Sequence, residues 1–446
     1  MIDPFIDSSK LNYQEFTTIV REVQEFISSK YSTLISSDIE EQKEQVKMFI
    51  TKYLQDNLIA VEGLEFGELV EKLYSEMAEF SVLTPYLFAS GIEEININSW
   101  DDISITQSDG KIYKSPETFE SPQHALDIVR KMLRISGEIL DNTSPTTLGY
   151  LSKNVRIAAM KDPIVDPDVG VSASIRIVNA IFMTKSELVS RGTATEEILD
   201  FLSLSFRYGA SMCIGGSTNS GKTTLTNWIL STVPNEKRIF TIESGSRELN
   251  LVKRNDLGVV ENNIVHTLSR ASENPMADVC QSELLSTSLR YNPDFICVGE
   301  MRGPEAFTAQ EAARTGHTVI STVHSNSCEA TWRRIFTMIK TAFAIEDKTA
   351  MDLVTEAFPI VVYEKKLENN ARINMEVMEC EILPNGDRRN RTIFEYVIVE
   401  NTYIDGKAKI TGYHQKVNGI SESLQKRHLE NGMPRETINK FAKGGD

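Results

Sequence analysis

Residues Gly216, Ser217, Thr218, Asn219, Ser220, Gly221, Lys222 and Thr223 spell a complete G-x-x-x-x-G-K-[ST], with Thr224 directly behind it. The apolar run SMCIG precedes it and TTLTNWILS follows, so the context is strand, loop, helix, as a phosphate-binding loop requires. In such a loop glycines let the backbone wrap the phosphates, while amide N–H groups and a helix N-terminus supply partial positive charge. The lysine reaches the β- and γ-oxygens, and the hydroxyl after it ligates Mg²⁺. The chemistry expected here is binding of ATP with Mg²⁺ through residues 216–224, with Thr223 on the metal.

Hydrolysis needs a carboxylate near that loop, at the end of a strand, to order water or take its proton. Glu300 closes the buried-strand run in FICVGEMRG and is the first candidate. Glu243 closes another strand in IFTIESGSREL and reads equally well as a structural acid. Each could reach the metal through water. His317 and His324 flank the strand in TGHTVISTVHSNS; seven positions apart they face opposite sides, so a shared metal is not expected. A histidine beside a phosphate can sense it or orient water, and either could also be structural. Six arginines complete the set of possible phosphate ligands: Arg156 and Arg176 on polar strand faces, and Arg270, Arg290, Arg302 and Arg314 around the loop's own domain. A guanidinium brought to a γ-phosphate couples hydrolysis to movement.

These groups need a scaffold. The chain has 446 residues, enough for two to four domains, with 41% hydrophobic and 25% charged residues, which excludes collagen-like, wholly disordered and multispan membrane classes. Its formal charge of −16 opposes unspecific attraction to phosphate backbones or anionic lipid, so nucleic acid is not an expected partner. Cys213, Cys280, Cys297, Cys328 and Cys380 are scattered and never spaced Cys-x-x-Cys, which argues against zinc and fits a reducing cytoplasm. The N-terminus lacks a signal-peptide pattern, and no apolar run approaches the ~18 residues of a membrane span.

Periodicity places three helices in residues 1–85: Phe16, Ile19, Val20, Val23, Phe26 and Ile27; then Val46, Phe49, Ile50, Tyr53 and Leu54; then Leu69, Val70, Leu73, Met77 and Phe80. Residues 86–180 change to short strands, IEEININ, DISIT and KIY, with Asp109-Gly110 as a hairpin turn. A helix opened by Ser121-Pro122 follows, then NVRIAAM and VSASIRIV. In the last run Val171, Ala173, Ile175 and Ile177 share one face, and Arg176 takes the other with Ser172 and Ser174. After a connector over 181–194, residues 195–446 alternate strand and helix as a parallel sheet with covering helices, then add PIVVY, INMEVMECEIL and TIFEYVIV with turns at Asn385-Gly386 and Asp405-Gly406. The expected class is α/β with a helical bundle and a small α+β domain in front.

In chain order, the P-loop, TIES, SLRYNPDFICVGEMRG and ARTGHTVISTVHSNS resemble the Walker A, Asp box, Walker B and His box of the secretion ATPase superfamily, which drives type II and type IV secretion and pilus assembly. GIEEININSWDDISITQSDGKIY, VSASIRIV and the tail from INMEVMECEILPNGDR to TGYHQKV resemble its CpaF/TadA-like branch, which powers Tad (Flp) pilus assembly. The resemblance covers most of the chain from about Leu83. Ser244 follows Glu243 where the box usually has aspartate, so only Glu243 is carried over. The cysteine-rich zinc insertion of some relatives is missing, which favours the CpaF-like or the conjugation-type (VirB) branch.

The resemblance implies a RecA-like ATPase domain behind a PAS-like N-domain, and a cytoplasmic homohexamer held at the inner face of the membrane by an integral platform protein. It also implies ATP hydrolysis with Glu300, Glu243 and His324 at the reaction and Arg156 or Arg176 clamping the nucleotide. Because one connector separates those arginines from the P-loop domain, closure within one chain is expected. A DNA-translocating motor would share the phosphate chemistry, but no basic, aromatic-laced stretch is present. A non-hydrolysing scaffold would not need Glu300.

Overall fold

The structure, a computed structural model, describes residues 12–30, 39–61, 63–78, 80–87, 89, 91–108, 110–152, 154–177, 183–245, 247–270, 278–383, 385–404 and 406–445. It divides into two compact units, Met1–Ala180 and Ile181–Asp446.

In the first unit β1 (Asn12–Tyr13) pairs in parallel with β2 (Ile59–Ala60), around α1 (Phe16–Lys30), α2 (Ile39–Asp56) and α3 (Phe66–Ala78), with α4 (Thr84–Leu87) behind. The expected stripes bury Ile19, Val23 and Ile27, then Ile50 and Leu54, then Leu69 and Leu73. A six-stranded antiparallel sheet follows: β3 (Ile92–Ser99), β4 (Asp102–Gln107), β5 (Ile112–Lys114), β6 (Thr146–Ser152), β7 (Val155–Lys161) and β8 (Val171–Ile177), in spatial order β5-β4-β3-β8-β7-β6. Its helix, α5 (Pro122–Arg134), starts where Ser121 accepts the His124 N–H, a cap of the kind that contributes about 1 kcal/mol.

Helices and sheet share one contiguous core: Ile19, Leu54, Leu73, Ile95, Val129 and Ile175 belong to the same cluster. The boundary drawn near residue 85 is therefore not a break in packing. Strand β6 escapes the periodicity because Leu148, 77% exposed, and Tyr150 point outward while the buried face carries Thr147, Gly149 and only one large apolar residue, Leu151. Asp109 and Asp405, expected at turns, lie outside the described residues.

The second unit opens with α6 (Lys185–Ser190), capped reciprocally by Thr184 and Glu187 inside the expected connector, and α7 (Glu196–Arg207). The remaining elements are β9 (Met212–Gly216), α8 (Lys222–Ser231), β10 (Ile239–Ser244), β11 (Ile264–Ser269), α9 (Gln281–Ser288), β12 (Phe295–Val298), α10 (Glu305–Arg314), β13 (Thr318–Val323), α11 (Cys328–Ala342), α12 (Asp347–Ala357), β14 (Ile360–Lys366), β15 (Arg372–Ile382), β16 (Arg388–Ile404), β17 (Lys407–Lys416), α13 (Glu422–Glu430) and α14 (Arg435–Ala442).

One sheet runs β11-β10-β12-β13-β9-β14-β15-β16-β17, parallel from β11 to β14 and antiparallel beyond. Strands β9 and β12 are buried along their whole length because helices cover both faces. Strand β13 stands between β9 and β12. The chain therefore enters and leaves the P-loop strand in the middle of the sheet, where order reverses and ligands bind at carboxyl ends. The tail strands are not an appendage: β14 is the direct parallel neighbour of β9.

Candidate active site

Parallel pairing alone brings four distant segments to one edge. The P-loop leaves the carboxyl end of β9, Glu243 is the penultimate residue of β10, Glu300 follows β12 and His324 follows β13. Gly221 caps α8 at φ 105°, which glycine alone adopts without strain. A Cβ at Gly216 would stand 2.4 Å from the Glu364 carbonyl, so the loop's first turn also demands glycine.

Lys222 is buried, and its Nζ donates to the carbonyls of Gly216 (3.0 Å) and Ser217 (2.7 Å). Ser217 and Thr218 are exposed, Asn219 and Thr224 half-buried, and the buried Ser220 Oγ has no hydrogen-bond partner among the described residues. Thr223 Oγ1 donates to Glu248 Oε2 at 3.1 Å. Glu248 was not singled out from the sequence.

Glu243 explains how Glu248 gets there. The residue is 4% exposed, and its Oε1 accepts the backbone N–H of Glu248 (2.6 Å) and Leu249 (2.9 Å), folding the segment after β10 back toward α8. Burial pushes this carboxyl up to about 7 against those two hydrogen bonds. A second acid, absent at Ser244, thus stands four positions on, at Glu248. The signal was present in SREL, but only the loop geometry turns Glu248 toward Thr223.

Glu300 is half-buried. Oε2 accepts from an Arg302 terminal nitrogen at 2.7 Å, and His324 Nε2 lies 3.1 Å from Oε1 without the alignment of a hydrogen bond, so Oε1 has no hydrogen-bond partner among the described residues. Burial raises this carboxyl, but the Arg302 hydrogen bond and charge, with His324 and Lys222, outweigh it and hold it below the ordinary range. Burial and the Lys222 charge lower His324 despite Glu300. Near neutrality the pair is therefore a carboxylate beside a neutral imidazole. Both line a cavity of about 250 Å³ with Met301, Arg302 and Arg334, the last also not read from sequence. Glu305 Oε1 accepts the Arg302 and Gly303 N–H groups and fixes this turn.

The other basic candidates separate by topology. His317 precedes β13 and Arg290 precedes β12, at the amino edge, and Arg314 pairs with Glu356 (2.9 Å) and Glu311 (3.3 Å). Arg270 follows β11 and bridges Val279 through its backbone. In the first unit Arg156 on β7 is in register with Arg176 on β8, between Tyr150 and Glu94.

The family described as type II/IV secretion system protein matches residues 150–434. An uncharacterized protein of Methanocaldococcus jannaschii is 25% identical, over 96% of this chain and 78% of its own length. Protein VirB11 of Agrobacterium tumefaciens is 30% identical over 41% of this chain and 51% of its own length, so the chain spans only about half of that relative.

Among solved structures, the VirB11 ATPase from the Brucella suis type IV secretion system in complex with sulphate is 21% identical with TM-score 0.35, covering 68% of this chain and 96% of that one. The Legionella pneumophila ATPase DotB is 17% identical with TM-score 0.47, covering 84% and 88%. The matched region takes in the P-loop, the three strand ends that surround it and the tail strands beside it, and the chain belongs to the type II/IV secretion system protein family, within the secretion ATPase superfamily that its four boxes resemble.

Proposed function

We propose that this chain hydrolyses ATP and passes the resulting domain motion to a pilus-assembly machine of the Tad (Flp) type. The observation that carries the reading is the meeting of Lys222, Thr223–Glu248 and Glu300–His324 at one sheet edge. The residues fit a hard cation with water in its shell, because they offer one hydroxyl and carboxylates and no sulfur. Thr223, with Glu248, Glu243 and Glu300 through water, would hold Mg²⁺, which when bound neutralises β- and γ-phosphate charge.

Lys222 exchanges the Gly216 and Ser217 carbonyls for phosphate oxygens. Glu300, ionised and with Oε1 free of a hydrogen bond among the described residues, takes a proton from the attacking water as the terminal phosphoryl leaves ADP. Neutral His324 orients that water, and Arg302 keeps Glu300 in its anionic form. Arg156 or Arg176 clamps the triphosphate, and its release on hydrolysis is the movement. A homohexameric ring at the cytoplasmic face, docked on an integral membrane protein, would carry it. Among the described residues no helix is long and apolar enough to cross a membrane, so contact with the bilayer is assigned to the partner. No zinc or nucleic acid enters the cycle.

A second reading, a conjugation-type secretion ATPase, is favoured by the VirB11 relative and by the Bordetella pertussis type IV secretion system protein PtlH, 38% identical over 31% of this chain. Steady-state ATP turnover by the purified chain tests the common core: Mg²⁺-dependent phosphate release is expected, and its absence in assembled protein overturns it.

A further inference from the structure

Beneath the P-loop lies a carboxyl that the reaction above does not use. Glu364 is fully buried on β14, in register with Gly216 on β9. Its Oε1 accepts Asn374 Nδ2 at 2.9 Å. Asn374 is itself fixed, its N–H donating to the Thr193 carbonyl (2.8 Å) and its carbonyl meeting His414 Nε2 (2.9 Å). Oε2 has no hydrogen-bond partner among the described residues and faces Gly221, where a Cβ would stand 3.6 Å away. An ionised carboxylate half-satisfied in a dry site is costly, so burial favours the neutral acid.

The groups around it set the opposite pull. From α8 comes Lys222, whose charge favours the carboxylate. From β15 comes Arg372, flanking Gly221 with its stem and giving its Nε to the Asn219 carbonyl at 3.0 Å. From β17 comes His414, which burial keeps below its usual range and hence neutral. Strand β9 offers only backbone. Burial wins part of the way and carries the Glu364 carboxyl up to about 7, against the Asn374 hydrogen bond and Lys222.

Phosphates arriving on the loop change that balance twice, because they engage the Lys222 charge and add negative charge above the acid. We propose that Glu364 is a positioning residue of the phosphate site, partly ionised against Lys222 in the nucleotide-free loop and protonated from solvent when phosphates claim Lys222, so that nucleotide binding is coupled to proton uptake. A carboxylate fixed there would repel the phosphates, whereas a permanently neutral group would leave Lys222 less compensated before binding. This inference rests on the nucleotide-binding reading.

The test is calorimetric titration of the whole chain with the Mg²⁺ complex of adenylyl imidodiphosphate at pH 7, in two buffers of different ionisation enthalpy such as Pipes and Tris. The wild type should bind with uptake of about half a proton per nucleotide, read from the difference in apparent enthalpy. Glu364→Gln, which keeps the Asn374 hydrogen bond, should bind with that uptake abolished. An equal proton count in Glu364→Gln, or binding by the wild type with no uptake, overturns the proposal. Absence of any binding by the wild type overturns the nucleotide reading instead. Should the variant not fold, the wild type still decides: uptake must vanish near pH 5, where the acid is already protonated, and a count unchanged from about pH 7 to 5 refutes the proposal.

Discussion

Thr223 and Glu248 meet at 3.1 Å although 25 positions separate them, because Glu243 holds the backbone of 248 and 249 and so aims the second acid at the hydroxyl. Glu248→Gln keeps the hydrogen bond but removes the charge. It should raise the Mg²⁺ concentration for half-maximal turnover by roughly ten-fold or more, the scale seen when outer-shell ligands are altered. A Mg²⁺ titration of phosphate release checks it, and an unchanged midpoint removes Glu248 from the metal site.

Lys222→Ala and Glu300→Gln should fail differently. The first leaves the loop without its phosphate counter-charge and should lose nucleotide affinity; the second should retain binding while turnover falls by two orders of magnitude or more, the scale of a lost acid–base group. Equilibrium binding beside steady-state turnover separates them. Near-normal turnover in Glu300→Gln would sink its assignment.

Arg302 holds Glu300 below the ordinary carboxylate range, so Arg302→Ala should let burial raise it. Activity that requires ionised Glu300 is lost as pH falls through its pKa, and the acid limb should therefore move to higher pH. A pH profile with its acid limb unmoved would show that Arg302 does not tune the base.

A buried imidazole, His428, and a half-buried one, His266, make the fold acid-sensitive. His428 bridges the Ser205 hydroxyl (3.2 Å) and the Tyr208 carbonyl (3.3 Å), His266 meets Thr241 Oγ1 at 2.8 Å, and burial lowers each to about 4. The unfolded chain binds more protons between about 6.5 and 4, so each site costs nothing above that window. Within it, each destabilises progressively as pH falls, by up to roughly 3 kcal/mol. Thermal unfolding across pH 7 to 4 should show the loss, and His428→Asn should flatten it.

For the arginine pair, Arg176→Ala and Glu300→Gln should each be inactive, and mixed rings should stay inactive if each chain's clamp closes on its own nucleotide. Recovered turnover on mixing would assign Arg176 to the neighbouring chain.

What could be read from the sequence followed from period and spacing. The P-loop, Glu300 at a strand end and the helical stripes of α1 to α3 are local patterns, and burial of Ile19, Val23 and Ile27 matches them. Glu248, Arg334 and Glu364 were not legible, because their meaning comes from a loop folded by Glu243, from a helix beside β13 and from a neighbouring strand. Strand β6 escaped for the converse reason, an apolar face turned to solvent.

The place of β14 beside β9 also bears on biosynthesis. The ribosome releases the P-loop long before the strand that supplies Glu364 and the one that supplies Arg372 and Asn374, with every element from α8 to α12 made in between. Until β14 arrives, the fully buried strand β9 has one open flank, an edge of the kind that invites pairing with other chains. A transcript or protease product ending after α12 would carry the whole P-loop motif and bind no nucleotide, and such fragments should accumulate as insoluble protein.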